Sequence, residues 1–160
     1  MQIFHSYKVI YLSFFLCLVA AIFPLPIIFN AFRPEWMVLV IFYWIIALPH
    51  RVNIIHAFIL GLLLDQLLGS VLGMHALSFS LLAYATSIHF QRVRNFTLVQ
   101  TTLLVGVFVF FSKLALYWLA SNMQDIVLHR HYFWSIFTSM LIWPWFFLFM
   151  RYFRIRFKVL

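Results

Sequence analysis

The chain has 160 residues, is 66% hydrophobic and 9% charged, and carries 11 Lys and Arg against 3 Asp and Glu, for a formal net charge of +8. Soluble domains carry about 25% charged residues, and a mean hydropathy of +1.05 excludes that class. A nucleic-acid face is excluded too, because the basic residues are scattered through short gaps between apolar runs instead of clustering on one surface.

What remains is an all-α, polytopic membrane protein forming a single integral domain over residues 1–160, with room for about six spans of roughly 20 residues each. Span 1 is expected from Val9 to Phe23, or on to Phe29 if Pro24 and Pro26 only kink it. Only Lys8 precedes this run and no small-x-small site follows it, so it reads as a retained span and not as a cleaved signal. Its Cys17 is the one cysteine, which excludes an internal disulfide and assigns the thiol to packing. Span 2 opens at Arg33-Pro34, where proline suits a first helical turn, and ends near Leu48-Pro49. It is short for a bilayer, so it either bends through Pro49 or sits where the bilayer thins. With the turn 49–53 it should form a rigid hairpin with span 3, and Arg51 should hold the inner end through lipid phosphate or helix C-terminal carbonyls.

Span 3 is expected over Ile54–Leu72, span 4 over Met74–Phe90, span 5 over Thr97–Ala120 and span 6 over Tyr132–Met150, with a kink at Pro144. Six spans put Lys8, Arg51, Arg92, Arg94, Arg151, Arg154, Arg156 and Lys158 on one side and only Arg33 and Arg130 on the other. The positive-inside rule then places both termini in the cytoplasm of a bacterial inner-membrane protein. Trp36, Trp118 and Trp134 fall near outer span ends, as an interfacial aromatic belt does. The stretch from Arg151 to Lys158 reads as a basic juxtamembrane anchor.

Few polar groups need explaining. Gly61, Asp65, Gly69 and Gly73 recur every four residues and would share one sector of a single helix, the glycines admitting a neighbouring backbone. Asp65 is too costly to expose to lipid, so it must face protein. Three readings stay open: it pairs with Lys113 at similar depth in span 5, it is protonated and hydrogen-bonded, or Lys113 instead snorkels outward. If Asp65 is structural, Asp65→Asn should keep much of the function. The seven histidines sit mostly at span ends, and His129-Arg130-His131, with Asp125 four residues before His129, is a poor metal pattern. No nucleophile elbow, phosphate loop or dinucleotide turn occurs, so no enzyme, cofactor or metal is expected. A small-molecule-binding transporter subunit is the competing class. Its pocket would have to come from Ser78, Ser80, Tyr84, Ser87 and Asp65.

The order Phe32-Arg33-Pro34-Glu35-Trp36, Tyr43-Trp44, Ala47-Leu48-Pro49-His50-Arg51-Val52-Asn53, Gly61-x-x-x-Asp65, Gly69-x-x-x-Gly73, Trp143-Pro144-Trp145 and Arg151 resembles the MreD family of rod shape-determining proteins, of the gammaproteobacterial type, over essentially the whole chain. The resemblance implies a six-helix fold like that of the S-components of energy-coupling-factor transporters. It also implies a non-enzymatic inner-membrane scaffold of the elongasome, linked to MreC, the MreB filament, and the peptidoglycan synthases RodA and penicillin-binding protein. No catalytic residue carries over. Arg33, Pro34, Trp36, Pro49, Arg51, Gly61, Asp65, Gly69, Gly73, Lys113 and Pro144 are the structural or partner-contact candidates.

Overall fold

The computed structural model describes residues 2–24, 26, 32–123 and 134–157. The proposed continuation of span 1 through residues 27–29, the segment holding Asp125, His129, Arg130 and His131, and Lys158 all lie outside the described residues. Among those residues the chain is helical, with no strand: α1 Gln2–Ile22, α2 Trp36–Ala47, α3 Ile54–Leu68, α4 Met74–Ile88, α5 Phe90–Arg94, α6 Leu98–Met123 and α7 Trp134–Arg156.

Each boundary has a local cause. The α2 helix stops at Ala47, two residues before Pro49, so it does not bend through that proline. A residue preceding proline is disfavoured in the α region. Asn53 caps α3 by accepting a hydrogen bond from the Ile55 N–H at 3.2 Å, as short polar side chains do at helix starts. Gly69, at φ 64° in the left-handed region, ends α3, earlier than the expected Leu72, and Gly73 at φ 98° precedes α4. At the start of α6, Thr97 N–H donates to Gln100 Oε1 at 2.9 Å and Gln100 N–H to Thr97 Oγ1 at 3.4 Å, a reciprocal capping pair. The α7 helix runs through Pro144 and continues past Met150 to Arg156. Arg151, Arg154 and Arg156 are therefore the last turns of a helix, where cations favour the carbonyl end of its dipole, and not a separate tail.

The α2 helix is the axis of the bundle. Every side chain from Met37 to Ile46 is buried, which is what a helix apolar on all sides requires. At about 18 Å it is too short to cross a bilayer at right angles. It packs against α1, α4, α5, α6 and α7. Phe42 holds Phe108 of α6 and Trp143 of α7 at ring-centroid distances of 5.3 Å each. Two core tryptophans satisfy their indole N–H groups across helices: Trp44 donates to Ser13 Oγ at 2.7 Å, and Trp143 to Thr101 Oγ1 at 3.3 Å.

The outer helices show the opposite pattern. Leu141 is 74% and Trp145 76% exposed on α7. By length and composition, residues Leu98–Trp118 and Trp134–Arg156 can each cross a membrane, while Tyr7–Ile22, Trp36–Ala47, Ile54–Leu68 and Met74–Ile88 are shorter apolar helices.

One expected contact moves. The α2 and α3 helices do not form the rigid hairpin; α3 instead lies closely along α4. The reason is Gly61, where a Cβ would meet the backbone of Ala76 and would come within 2.7 Å of the His75 carbonyl carbon. Of the four residues expected in one glycine-lined sector, only Gly61 serves as a close-approach position. Gly69 and Gly73 would meet nothing within 4 Å, and their left-handed backbone shapes the α3–α4 turn, where side chains other than glycine are strained.

Chain direction alternates through the bundle. The end of α1, the start of α2, the end of α3, the start of α4, the later half of α6 and the start of α7 gather at one end, tied together by the polar contacts described next. Lys8, Arg51, Arg92, Arg94, Arg151, Arg154 and Arg156 belong to the opposite helix ends.

Candidate functional site

Two carboxylates, Asp65 buried and Glu35 partly so, lie with Arg33 and Lys113 at the end of the bundle opposite Lys8, Arg51, Arg92, Arg94, Arg151, Arg154 and Arg156. Asp65, 0% exposed, sits in the last turn of α3 and reaches across the turn to the start of α4. Its Oδ1 accepts from Ser70 Oγ at 2.8 Å, from His75 N–H at 3.1 Å and from His75 Nδ1 at 2.7 Å. Its Oδ2 accepts from Gly73 N–H at 2.9 Å and Ala76 N–H at 3.4 Å. The first N–H groups of a helix have no partner within it, and here a side chain from the preceding helix supplies them. With the His75 proton assigned to Nδ1, every partner is a donor, and this set fits an ionised carboxylate.

The expected Asp65–Lys113 pair is not formed. Lys113, on α6, pairs with Glu35 at 2.6 Å. The cause is topological: α6 passes beside the start of α2, whereas Asp65 is taken up by the start of α4. The Lys113 ammonium therefore turns toward a carboxylate inside the bundle and does not snorkel outward. The pair is partly accessible, with Lys113 14% and Glu35 20% exposed. Glu35 is anchored on its other side, its backbone N–H donating to Ser139 Oγ of α7 at 3.0 Å. Sequence reasoning passed over Glu35, although a signal was present. It follows Pro34 at a helix start, where an acid is favoured, and the chain has only three acids with which to balance its cations.

Arg33 closes the end of α1. Its Nη2 donates to the carbonyls of Ala20 and Phe23 at 2.7 Å each, satisfying two of the carbonyls that a helix C-terminus leaves free. Arg33, Pro34, Glu35, Trp36, His75 and Lys113 line a cavity of about 320 Å³ together with apolar side chains of α1, α3, α4 and α6. The elements thus bring together Arg33, Pro34, Trp36 and Lys113 from the candidate set and place Asp65 directly behind His75.

The remaining candidates lie elsewhere. Pro49 is in the turn after α2. Arg51 stacks over the Tyr7 ring at 5.4 Å, and among the described residues its side chain makes no bond to helix carbonyls. Pro144 is inside α7. The Trp36 ring lies 6.3 Å from Phe146 and is half-buried, whereas Trp118 and Trp134 are exposed.

The polar groups of α4 do not form a pocket with Asp65. Ser80 and Ser87 bond to carbonyls of their own helix. Ser78 meets Ser112 of α6 at 2.8 Å, and with Tyr84 these two border a largely apolar groove of about 490 Å³. No group of three metal-ligating side chains is found among the described residues.

A helical bundle with a buried apolar axis, apolar outer faces and charges gathered at its ends is of the membrane-protein class. The family model for rod shape-determining protein MreD matches residues 2–153. The rod shape-determining protein MreD of Haemophilus influenzae is 40% identical over 149 residues, covering 92% of this chain and 91% of the relative. No solved structure matches the chain. The chain belongs to the MreD family.

Proposed function

We propose that this chain determines rod shape as a non-enzymatic scaffold of the elongasome in the bacterial inner membrane, crossing it six times with both termini in the cytoplasm. It would couple MreC, the MreB filament, and the RodA and penicillin-binding protein synthases. The observation that carries this reading is the family match over nearly the whole chain. Two features support it. The short α2 is shielded on all sides, so the surrounding helices can present exposed apolar surface, such as Leu141, Trp145 and Phe137 of α7, to lipid or to a partner's helix. Among the described residues seven basic residues, Lys8, Arg51, Arg92, Arg94, Arg151, Arg154 and Arg156, sit on one set of helix ends against Arg33 and Lys113 at the other, the excess that the positive-inside rule expects of a cytoplasmic face. The S-component resemblance enters as an analogy of helix count and alternating direction, and fold alone does not fix function.

The test is depletion in a rod-shaped host together with purification in mild detergent. Cells should round up, and a single-span protein with a periplasmic domain should co-purify stoichiometrically. A cytoplasmic reporter fused at Leu160 should be active. The charged cavity at Glu35 and Lys113 favours a second reading, a small-molecule-binding membrane subunit. Cells that stay rod-shaped after clean deletion but lose uptake of a small nutrient would establish that reading instead.

A further inference from the structure

The family match assigns no task to the cavity between the start of α2 and the later half of α6. Its volume of about 320 Å³ lies at the lower edge of the roughly 300–1,000 Å³ typical of small-ligand sites, enough for a headgroup or a small metabolite. Its wall is unusual for so apolar a chain. Arg33, Glu35, His75 and Lys113 all face it, and the Glu35 carboxylate interacts electrostatically with the other three. Among the described residues the cavity is therefore of mixed charge, two permanent cations beside one carboxylate.

Several groups in the wall have hydrogen-bonding capacity to spare. Arg33 Nη2 is occupied by the end of α1, and its buried Nε has no hydrogen-bond partner among the described residues, so the guanidinium as a whole is short of acceptors. The Glu35 carboxylate can accept about four hydrogen bonds, more than its pair with Lys113 among the described residues uses. His75 gives Nδ1 to Asp65, which leaves Nε2 for a ligand. The lining includes Leu68, which is 47% exposed.

We propose that this cavity binds a zwitterion, a ligand carrying a phosphate or carboxylate a few ångströms from a primary ammonium. The anionic group would take the Arg33 guanidinium and Lys113, and the ammonium would take Glu35. A plain anion fits less well, because Glu35 would repel it. A plain cation meets Arg33 and Lys113. The same chemistry is supplied by a phosphoethanolamine lipid headgroup or by a free small zwitterion. The proposal stands apart from the scaffold reading and holds whether or not the chain couples other proteins.

The experiment uses the full chain, purified in mild detergent and in nanodiscs. Soluble O-phosphoethanolamine and inorganic phosphate are titrated by calorimetry. Retention of phosphatidylethanolamine against phosphatidylglycerol is read by native mass spectrometry. Wild-type protein should bind O-phosphoethanolamine more tightly than inorganic phosphate, or retain phosphatidylethanolamine over phosphatidylglycerol. The first result points to a free zwitterion and the second to a lipid headgroup. Binding of neither zwitterion, or equal retention of both lipids with no binding of O-phosphoethanolamine, overturns the proposal.

Glu35→Gln separates the charge arrangements by sign. It should weaken binding of the zwitterion by about tenfold or more, the scale of one lost charge-assisted hydrogen bond, while inorganic phosphate binds better. Tighter binding of the zwitterion in this variant would show that no ammonium subsite exists. Leu68→Trp, at an exposed lining position, narrows the cavity without touching a charge. It should abolish binding while the melting temperature stays near that of wild type; unchanged binding would place the ligand outside this cavity.

Discussion

Asp65 and Glu35 lie at the same end of the bundle, and each solves the problem of a carboxylate in an apolar chain differently. Asp65 is satisfied by donors that lie five to eleven residues ahead of it in sequence, three of them backbone N–H groups. Glu35 is satisfied by a cation on a helix seventy-eight positions away. The first arrangement is part of a turn and forms whenever α3 and α4 come together. The second exists only when α6 has docked against α2. Loss of Asp65 should therefore undo a supersecondary unit, whereas loss of the Glu35 pair should loosen a finished bundle.

The largest effect is expected for Asp65→Leu. It strips the acceptor from five donors, and each buried donor left unsatisfied costs about 1–3 kcal/mol. The folding equilibrium constant should fall by at least about tenfold, which needs only about 1.4 kcal/mol, and less folded protein should be recovered from membranes, as measured by quantitative immunoblot after detergent extraction. Asp65→Asn should be more harmful than the sequence alone implies. The amide oxygen can replace one carboxylate oxygen, but its NH₂ then faces N–H donors. If Asp65→Asn melts like wild type in detergent, the donor-only account of the site is wrong.

Gly61→Leu comes next. It keeps Asp65 but pushes α4 off α3 through a backbone clash at Ala76 and His75, so Asp65 can no longer reach the α4 N–H groups. It should resemble Asp65→Leu in yield, and the two losses should not add, because both remove one and the same contact. Additive losses would separate the glycine from the cap.

Lys113→Met should cost less. The pair is partly exposed, so its loss lies between the roughly 0–1 kcal/mol of a surface pair and the roughly 3–5 kcal/mol of breaking a fully buried one. Adding Glu35→Gln to Lys113→Met should recover part of the loss by removing the stranded carboxylate. A thermal-melt double-mutant cycle measures this, and a double variant less stable than Lys113→Met alone would contradict it. The smallest change is Gly106→Ala. Its new methyl comes nearest to the Met140 side chain, which can rotate away, and the helix gains about 1 kcal/mol of propensity. Melting temperatures should differ little from wild type.

The sequence by itself determined the membrane class, the apolar helices, most helix starts and stops, and the concentration of most basic residues at one set of helix ends. These follow from local causes: hydropathy, a proline after α2, a left-handed glycine after α3, and the charge of short connections. It also determined that Asp65 must face protein, because lipid cannot solvate a carboxylate. Which protein groups meet Asp65 was decided by tertiary structure. Matching depth along two helices says nothing about which helices adjoin, and a four-residue spacing looks the same whether a glycine packs inside a helix, as Gly61 does, or ends one, as Gly69 does. Only the packing of α6 against α2 assigned Lys113 to Glu35, and only the close approach of α4 to Gly61 gave Asp65 its donors. Such contacts depend on the relative placement of separate helices, which one-dimensional periodicity does not encode.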